Sequence, residues 1–159
     1  MEQVRKLLNL ILCVLLLTGC ATGYVEPTTS TTPTNTPIVQ TISVDEDGVY
    51  DDKDHVALYI VTFDSLPSNY MSKKEARKHG WNGGALSTVL EGMCIGGDYY
   101  GNYEGTLPED DEYHECDIDT LGKKKRGAKR IIYSDDGDVY YTEDHYDSFV
   151  QLYSEGNPS

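Results

Sequence analysis

At 159 residues the chain has room for one domain of ordinary size but not for two comfortable ones. Its formal charge of −14, taken alone, argues against a general nucleic-acid binder. The cations are nonetheless concentrated, at Lys73-Lys74 with Arg77-Lys78 and at Lys123-Lys124-Lys125-Arg126 with Lys129-Arg130, and a fold that joined the two clusters would make a local phosphate-attracting site.

Residues 1–19 read as a lipoprotein signal peptide. Arg5 and Lys6 precede a mostly apolar run from Leu7 to Leu17, too short to span a membrane in the mature protein. Leu17-Thr18-Gly19-Cys20 then has the form of a bacterial lipobox, in which the Cys20 thiol is acylated and becomes the mature N-terminus. The alternative is plain secretion without the lipid. Residues 20–44 form a Thr/Ser/Pro-rich tether with little apolar content to bury. Residues 45–159 are the size of one small domain, with no internal repeat, and the location expected is extracellular, lipid-anchored to the bacterial membrane or secreted.

Within the domain, Val56-Ala57, Tyr59-Ile60 and Phe63 recur at helical spacing behind the acidic pair Asp51-Asp52, which suits a positive helix start, and Leu66-Pro67 would end that helix. Ser72 and Glu75 have the spacing of a capping box, and Gly80 closes a second, short helix. Ala85 to Leu90 predicts a third. The pattern then turns to period two, with five strands expected at Ile95–Tyr100, Tyr113–Asp119, Arg130–Ser134, Val139–Thr142 and Phe149–Tyr153. Asp136-Gly137 and the stretch from Gly101 to Pro108 supply turns. Helices first and strands afterwards indicate an α+β fold, with N-terminal helices packed on one face of a five-stranded antiparallel sheet and the other face free for a site.

Alternation along the second strand puts Glu115 and Asp117 on one face and Cys116 and Ile118 on the other. Arg130 opposes Ile131, so its guanidinium is expected on the open face beside Glu115. Lys73 falls in the first turn of the capped helix, where free backbone N–H groups favour an anion. Each residue also has an ordinary reading: Glu115 with Arg130 as a cross-strand ion pair, Lys73 as an exposed helix lysine, His145 as a surface histidine.

A set of separated motifs narrows the choice. Leu66-Pro67-Ser68-Asn69-Tyr70, Lys73 with Glu75-Ala76, Gly80-Trp81, Ile95-Gly96-Gly97-Asp98, Asn102 with Glu104-Gly105, Leu107-Pro108, Glu115 before Asp117-Ile118, Arg130-Ile131 with Tyr133-Ser134, and Asp144-His145-Tyr146 stand in the order and spacing of the barnase/binase family. From about Val56 to Tyr153 the chain resembles these guanyl-preferring microbial ribonucleases. The resemblance implies cleavage of single-stranded RNA in two steps without cofactor or metal, Glu115 as general base and His145 as general acid. It implies that Lys73, Arg126 and Arg130 surround the phosphate, where charge builds on the non-bridging oxygens, and that Tyr146 adds a phosphate contact. Asn102-Tyr103-Glu104 fills the place of the base-recognition loop, with Tyr103 where relatives usually carry arginine.

The partners implied are single-stranded RNA, the membrane through Cys20, and an intracellular inhibitor of the barstar type, although the chain's acidity weakens attraction to an acidic inhibitor. The chain is expected to be a monomer. A reading from a different class is a catalytically silent surface lipoprotein that keeps the fold for binding; retention of Lys73, Glu115, Arg126, Arg130 and His145 speaks against it. Cys94 and Cys116 lie near adjacent strands, where a disulfide closing about twenty residues would contribute roughly 3 kcal/mol. Two buried free thiols are the alternative.

Overall fold

The computed structural model describes residues 42–154 and the backbone of residues 157 and 158. The expected signal peptide, Cys20 and all but the last three residues of the tether lie outside the described residues.

Helix α1 (Lys53–Phe63) begins at Asp52, whose carboxylate accepts the His55 N–H at 3.1 Å, one of the orphan donors of the first turn. It ends at Asp64, a left-handed residue (φ 50°) whose N–H returns to the Ile60 carbonyl at 2.8 Å. Strand β1 (Tyr70–Met71) leads into helix α2 (Lys73–Lys78), capped by the Ser72 hydroxyl on the Glu75 N–H. The third helix expected over Ala85–Leu90 is a single 3₁₀ turn, Leu86–Thr88. Gly83 and Gly84 before it and Gly92 after it all have positive φ, and the segment between them is too short to offset helix nucleation.

Strands β2 (Cys94–Tyr100), β3 (Tyr113–Asp117), β4 (Arg130–Ser134), β5 (Val139–Thr142) and β6 (Val150–Ser154) are the five expected from period two. They pair antiparallel in chain order. Two-residue strands extend the sheet to seven: β1, parallel to β2, and β7 (Asn157–Pro158), antiparallel to β6.

Val56, Ala57 and Ile60 of α1 bury their stripe against Cys116, Ile131 and Val139, which fill one face of the sheet. On the opposite face Leu107, Tyr113, Ile132 and Tyr140 make a smaller cluster flanked by Tyr100, Tyr146 and Phe149. A third cluster of Ala76, Trp81, Leu86 and Ile95 seats α2 at β2.

The sheet is interrupted once at a place that matters. Gly96 pairs with Cys116 and Asp98 with Glu115, leaving Gly97 (φ 84°) as the extra residue of a bulge. Gly96 lies so close to β3 that a Cβ there would be 2.6 Å from that of Cys116. This register also corrects the expected disulfide: Cys94 and Cys116 are both free and buried. Because Gly96 is the residue opposite Cys116, Cys94 is its diagonal neighbour, at a separation of roughly 7–8 Å for such pairs, beyond the reach of a bridge. Cys94 instead accepts from the Thr120 hydroxyl at 3.3 Å, and burial pushes its thiol up to about 11. The thermal midpoint of the domain is therefore expected to be the same with and without reductant; a fall on adding dithiothreitol would show that a bond forms.

Candidate active site

The open face is organised around Glu115, in the middle of β3 and buried at 7 % exposure. One carboxylate oxygen accepts from the Lys73 ammonium and the other from the Tyr146 hydroxyl. Burial pushes the Glu115 carboxyl up, but the bonds from Lys73 and Tyr146, together with the charges of Lys73 and Arg126, outweigh it and hold it below the usual glutamate range. The Tyr146 phenol moves the other way, raised by burial and by donating to this carboxylate.

Lys73 reaches Glu115 because α2 starts at the edge of β2, and the β2 bulge fixes that start. Asp98, turned by the bulge to stand opposite Glu115, accepts the Lys73 N–H at 2.9 Å. The first-turn amide that the sequence offers to an external anion is thus taken by Asp98, while the Lys73 side chain faces the site. Of the first basic cluster, Lys73 alone enters the site; Lys78 pairs with Glu75, and Arg77 lies over the Trp81 ring.

Arg130 lies on the open face, as expected from its alternation with Ile131, but its partner is Asp117 and not Glu115. The β3–β4 register sets Asp117 opposite Arg130 and Glu115 opposite Ile132. Arg130 is 2 % exposed; its Nε stands 3.1 Å from Asp117 Oδ1 without the alignment of a hydrogen bond, and Nη1 donates to the carbonyls of Lys129 and Gly127. Arg126 binds the same carboxylate with two parallel bonds of 2.7 and 2.6 Å. Burial alone would lower the Arg126 pKa, and Asp117 more than reverses that. Asp117, placed on this face by alternation but given no role there, is the anchor of both guanidinium groups.

His145 and Tyr146 follow β5 with successive left-handed conformations, φ 62° and 77°. Such a pair persists only when its surroundings over-determine it. Thr142 and Asp144 do so: the buried Thr142 hydroxyl donates to Asp144 at 2.8 Å and accepts the Tyr146 N–H at 3.0 Å. Asp144 also accepts the Ser148 N–H and hydroxyl, and those bonds lower its carboxyl to about 2. His145 is exposed, its ring 4.7 Å from that of Tyr146, the same tyrosine whose hydroxyl meets Glu115.

At the Tyr113 end of β3, Asn102 takes a left-handed turn (φ 40°) and spends its side chain on the loop itself. Its amide donates to the Leu107 carbonyl at 2.9 Å and accepts the Leu107 N–H at 3.1 Å. Glu104 and Tyr103 are left exposed, Tyr103 at 91 %. Tyr100, which sequence reading passes over, packs its ring against that of Tyr146, centroids 5.3 Å apart and planes tilted by 30°. Burial raises its hydroxyl pKa and the Glu104 and Glu115 carboxylates add to that, against the opposing effect of a hydrogen bond with Thr106. The strand alternation that located Glu115 could have found it, since Tyr100 lies at the same end of the face as Tyr113. Among the described residues no group of three His, Cys, Asp or Glu side chains is placed to hold a metal ion.

An antiparallel sheet with a helix across its back and a carboxylate among cations on its front is the layout expected of the microbial ribonucleases. A family model described as ribonuclease matches residues 54–153, and the chain belongs to that family. It is similar to a ribonuclease of Bacillus pumilus, 33 % identical over 150 residues that cover 89 % of this chain and 92 % of that protein. A ribonuclease of Bacillus intermedius is 37 % identical over 136 residues, 82 % and 83 % of the two chains. The guanyl-specific ribonuclease St of Saccharopolyspora erythraea is 46 % identical over 55 residues, 33 % of this chain and 54 % of that one.

Proposed function

We propose that this chain is a metal-independent endoribonuclease that cuts single-stranded RNA 3′ of guanosine. The observation that supports it most is Glu115, kept ionised by Lys73 and Tyr146 beside two arginines that Asp117 holds in place. Each Glu115 oxygen retains acceptor capacity beyond its present bond, so the carboxylate can take the proton of a ribose 2′-hydroxyl. The 2′-oxygen then attacks the adjacent phosphorus, the bond to the 5′-oxygen breaks, and His145 gives that oxygen its proton. Water opens the resulting 2′,3′-cyclic phosphate with the two roles exchanged: His145 removes the water proton and Glu115 returns one to the 2′-oxygen. Lys73, Arg126 and Arg130 stabilise the charge that builds on the phosphoryl oxygens.

Guanine preference is assigned to the backbone of the Asn102–Leu107 loop and the Glu104 carboxylate, which match an acceptor oxygen beside N–H donors on one edge of that base. Tyr103 offers a stacking surface that accepts every base and so adds affinity without discrimination. The purified domain is expected to cleave RNA in chelator at an unchanged rate; loss of activity restored by magnesium would refute the mechanism. Dinucleotides carrying each of the four bases on the 5′ side should show a guanine preference that Glu104→Ala weakens, and no preference in wild type would remove this role from the loop.

We also assign the protein to the outer face of the cell membrane through lipid on Cys20, as the Leu17-Thr18-Gly19-Cys20 motif supports. Cys20→Ser should release the domain or leave its precursor unprocessed in cell fractionation; an unlipidated wild-type protein free in the medium would count against the anchor.

A further inference from the structure

Beside the Asn102–Leu107 loop, at the ends of β2 and β3, lies a recess of about 180 Å³, bordered by Tyr99, Tyr100, Tyr103 and Tyr113 and by the acids Glu109 and Asp111. Glu104, Glu115, His145 and Tyr146 do not border it, so this concavity adjoins the candidate active site without belonging to it. Two of its tyrosines are unused. Tyr99 is 62 % exposed and Tyr103 more so, and among the described residues neither ring meets another, whereas Tyr100 packs on Tyr146 and Tyr113 on Tyr140.

Gly101 sets the place of Tyr103. The ring lies so close over that residue that a Cβ there would collide with it, so the side chain folds back on the chain instead of extending into solvent. The acids are held as well: the Glu109 carboxylate stands 3.3 Å from where a Cβ on Gly105 would be, and Asp111 accepts the Tyr113 hydroxyl at 3.2 Å. A phosphate entering the recess would meet two carboxylates, whereas a nucleobase carries no charge and finds aromatic surface.

We propose that this recess takes the nucleobase on the 5′ side of guanosine, stacked on Tyr103 and bordered by Tyr99, while guanine itself is left to Glu104 and the loop backbone. This rests on the ribonuclease reading above, in which the loop holds the base 5′ of the scissile phosphate and Glu115 stands at that phosphate. The nucleotide before guanosine then lies one step further from Glu115. The recess is in that direction, since Tyr100 and Tyr113 on its border pair with each other two positions along β3 from Glu115. Tyr103 and Glu104, neighbours in the chain, thus read two successive nucleotides: the tyrosine adds affinity for an upstream base, and the glutamate selects guanine.

The test compares three substrates cut at one guanosine–uridine bond: the dinucleotide GpU, the same with 2′-deoxyadenosine added on the 5′ side, and the same with an abasic deoxyribose there. The added adenine is expected to lower KM about ten-fold, the scale of one base on one aromatic ring, while the abasic substrate behaves as GpU or worse. Because the added phosphate faces carboxylates, the advantage of the adenine substrate should hold or grow as salt is raised, opposite to a contact made by phosphate. In Tyr103→Ala the ratio of the two KM values should fall to near unity, with the preference for GpU over ApU kept; Tyr103→Phe should restore the ratio, and Tyr99→Ala should reduce it. An abasic substrate as good as the adenine one, an advantage that disappears in high salt, or a Tyr103→Ala variant that keeps the advantage overturns the proposal. So does loss of the preference for GpU over ApU in Tyr103→Ala, since the ring would then serve guanine. Failure of the wild type to cleave any of the three overturns the ribonuclease reading itself, whereas cleavage indifferent to the upstream base overturns the assignment of the recess alone.

Discussion

Replacing Glu115 by glutamine, or His145 by alanine, is expected to lower RNA cleavage by about two to four orders of magnitude each, the range of a positioned proton-transfer group. Wild-type rates in both variants would remove these residues from their roles. The two losses differ in how pH modulates the enzyme around them. Glu115 has a lowered carboxyl pKa, so its proton-accepting form is present throughout the ordinary carboxylate range and is lost as pH falls through the lowered value. Lys73→Met removes the hydrogen bond and the charge that oppose burial. The acid limb of the kcat/KM profile should therefore move to higher pH in that variant, together with a fall in the plateau. A limb that stays in place would show that Lys73 does not tune the base. The same depressed value makes Glu115 a source of stability above its unfolded pKa of about 4.3, lost as pH falls through the folded value.

The second large effect is on stability. Asp117 is 1 % exposed and is the counter-charge of both Arg126 and the buried Arg130. Asp117→Ala leaves Arg130 charged in the interior without a carboxylate, a change expected to cost about 3–5 kcal/mol. Urea unfolding of the variant measures it directly, and a change below about 1 kcal/mol would place it with ordinary surface ion pairs. Asp117→Leu combined with Arg130→Met should recover part of that stability, because two charges leave the interior together, yet recover no activity. Stability and catalysis separate at this pair.

Much of the fold is legible in the sequence because its signals are local. Asp52 and Ser72 announce their helices through short-range hydrogen-bonding chemistry, and β4 and β5 have the bounds that period two predicts. Apolar spacing predicts a helix where the 3₁₀ turn Leu86–Thr88 stands, because it says nothing of the glycines that bound the segment. The site is legible as a set of residues and not as a set of pairs. Alternation places Glu115, Asp117 and Arg130 on one face, but which acid meets which base depends on a register that a shift of two residues would change. The same ignorance of register leaves the Cys94 and Cys116 bond open at the level of sequence. The left-handed pair at His145 and Tyr146 is invisible there for another reason: neither residue type asks for that backbone, and the demand comes from Thr142 and Asp144.

The two bonds of the Glu115 carboxylate span 42 residues back to Lys73 and 31 residues forward to Tyr146. Contacts of such separation form late, since the loops they close must lose their entropy first. A nascent or extended chain therefore holds all the reactive groups and none of the active site: its glutamate titrates as a free carboxylate and its histidine has no anchored neighbour. The arrangement that lowers the Glu115 carboxyl is then a property of the finished fold and not of the polypeptide that carries the residues.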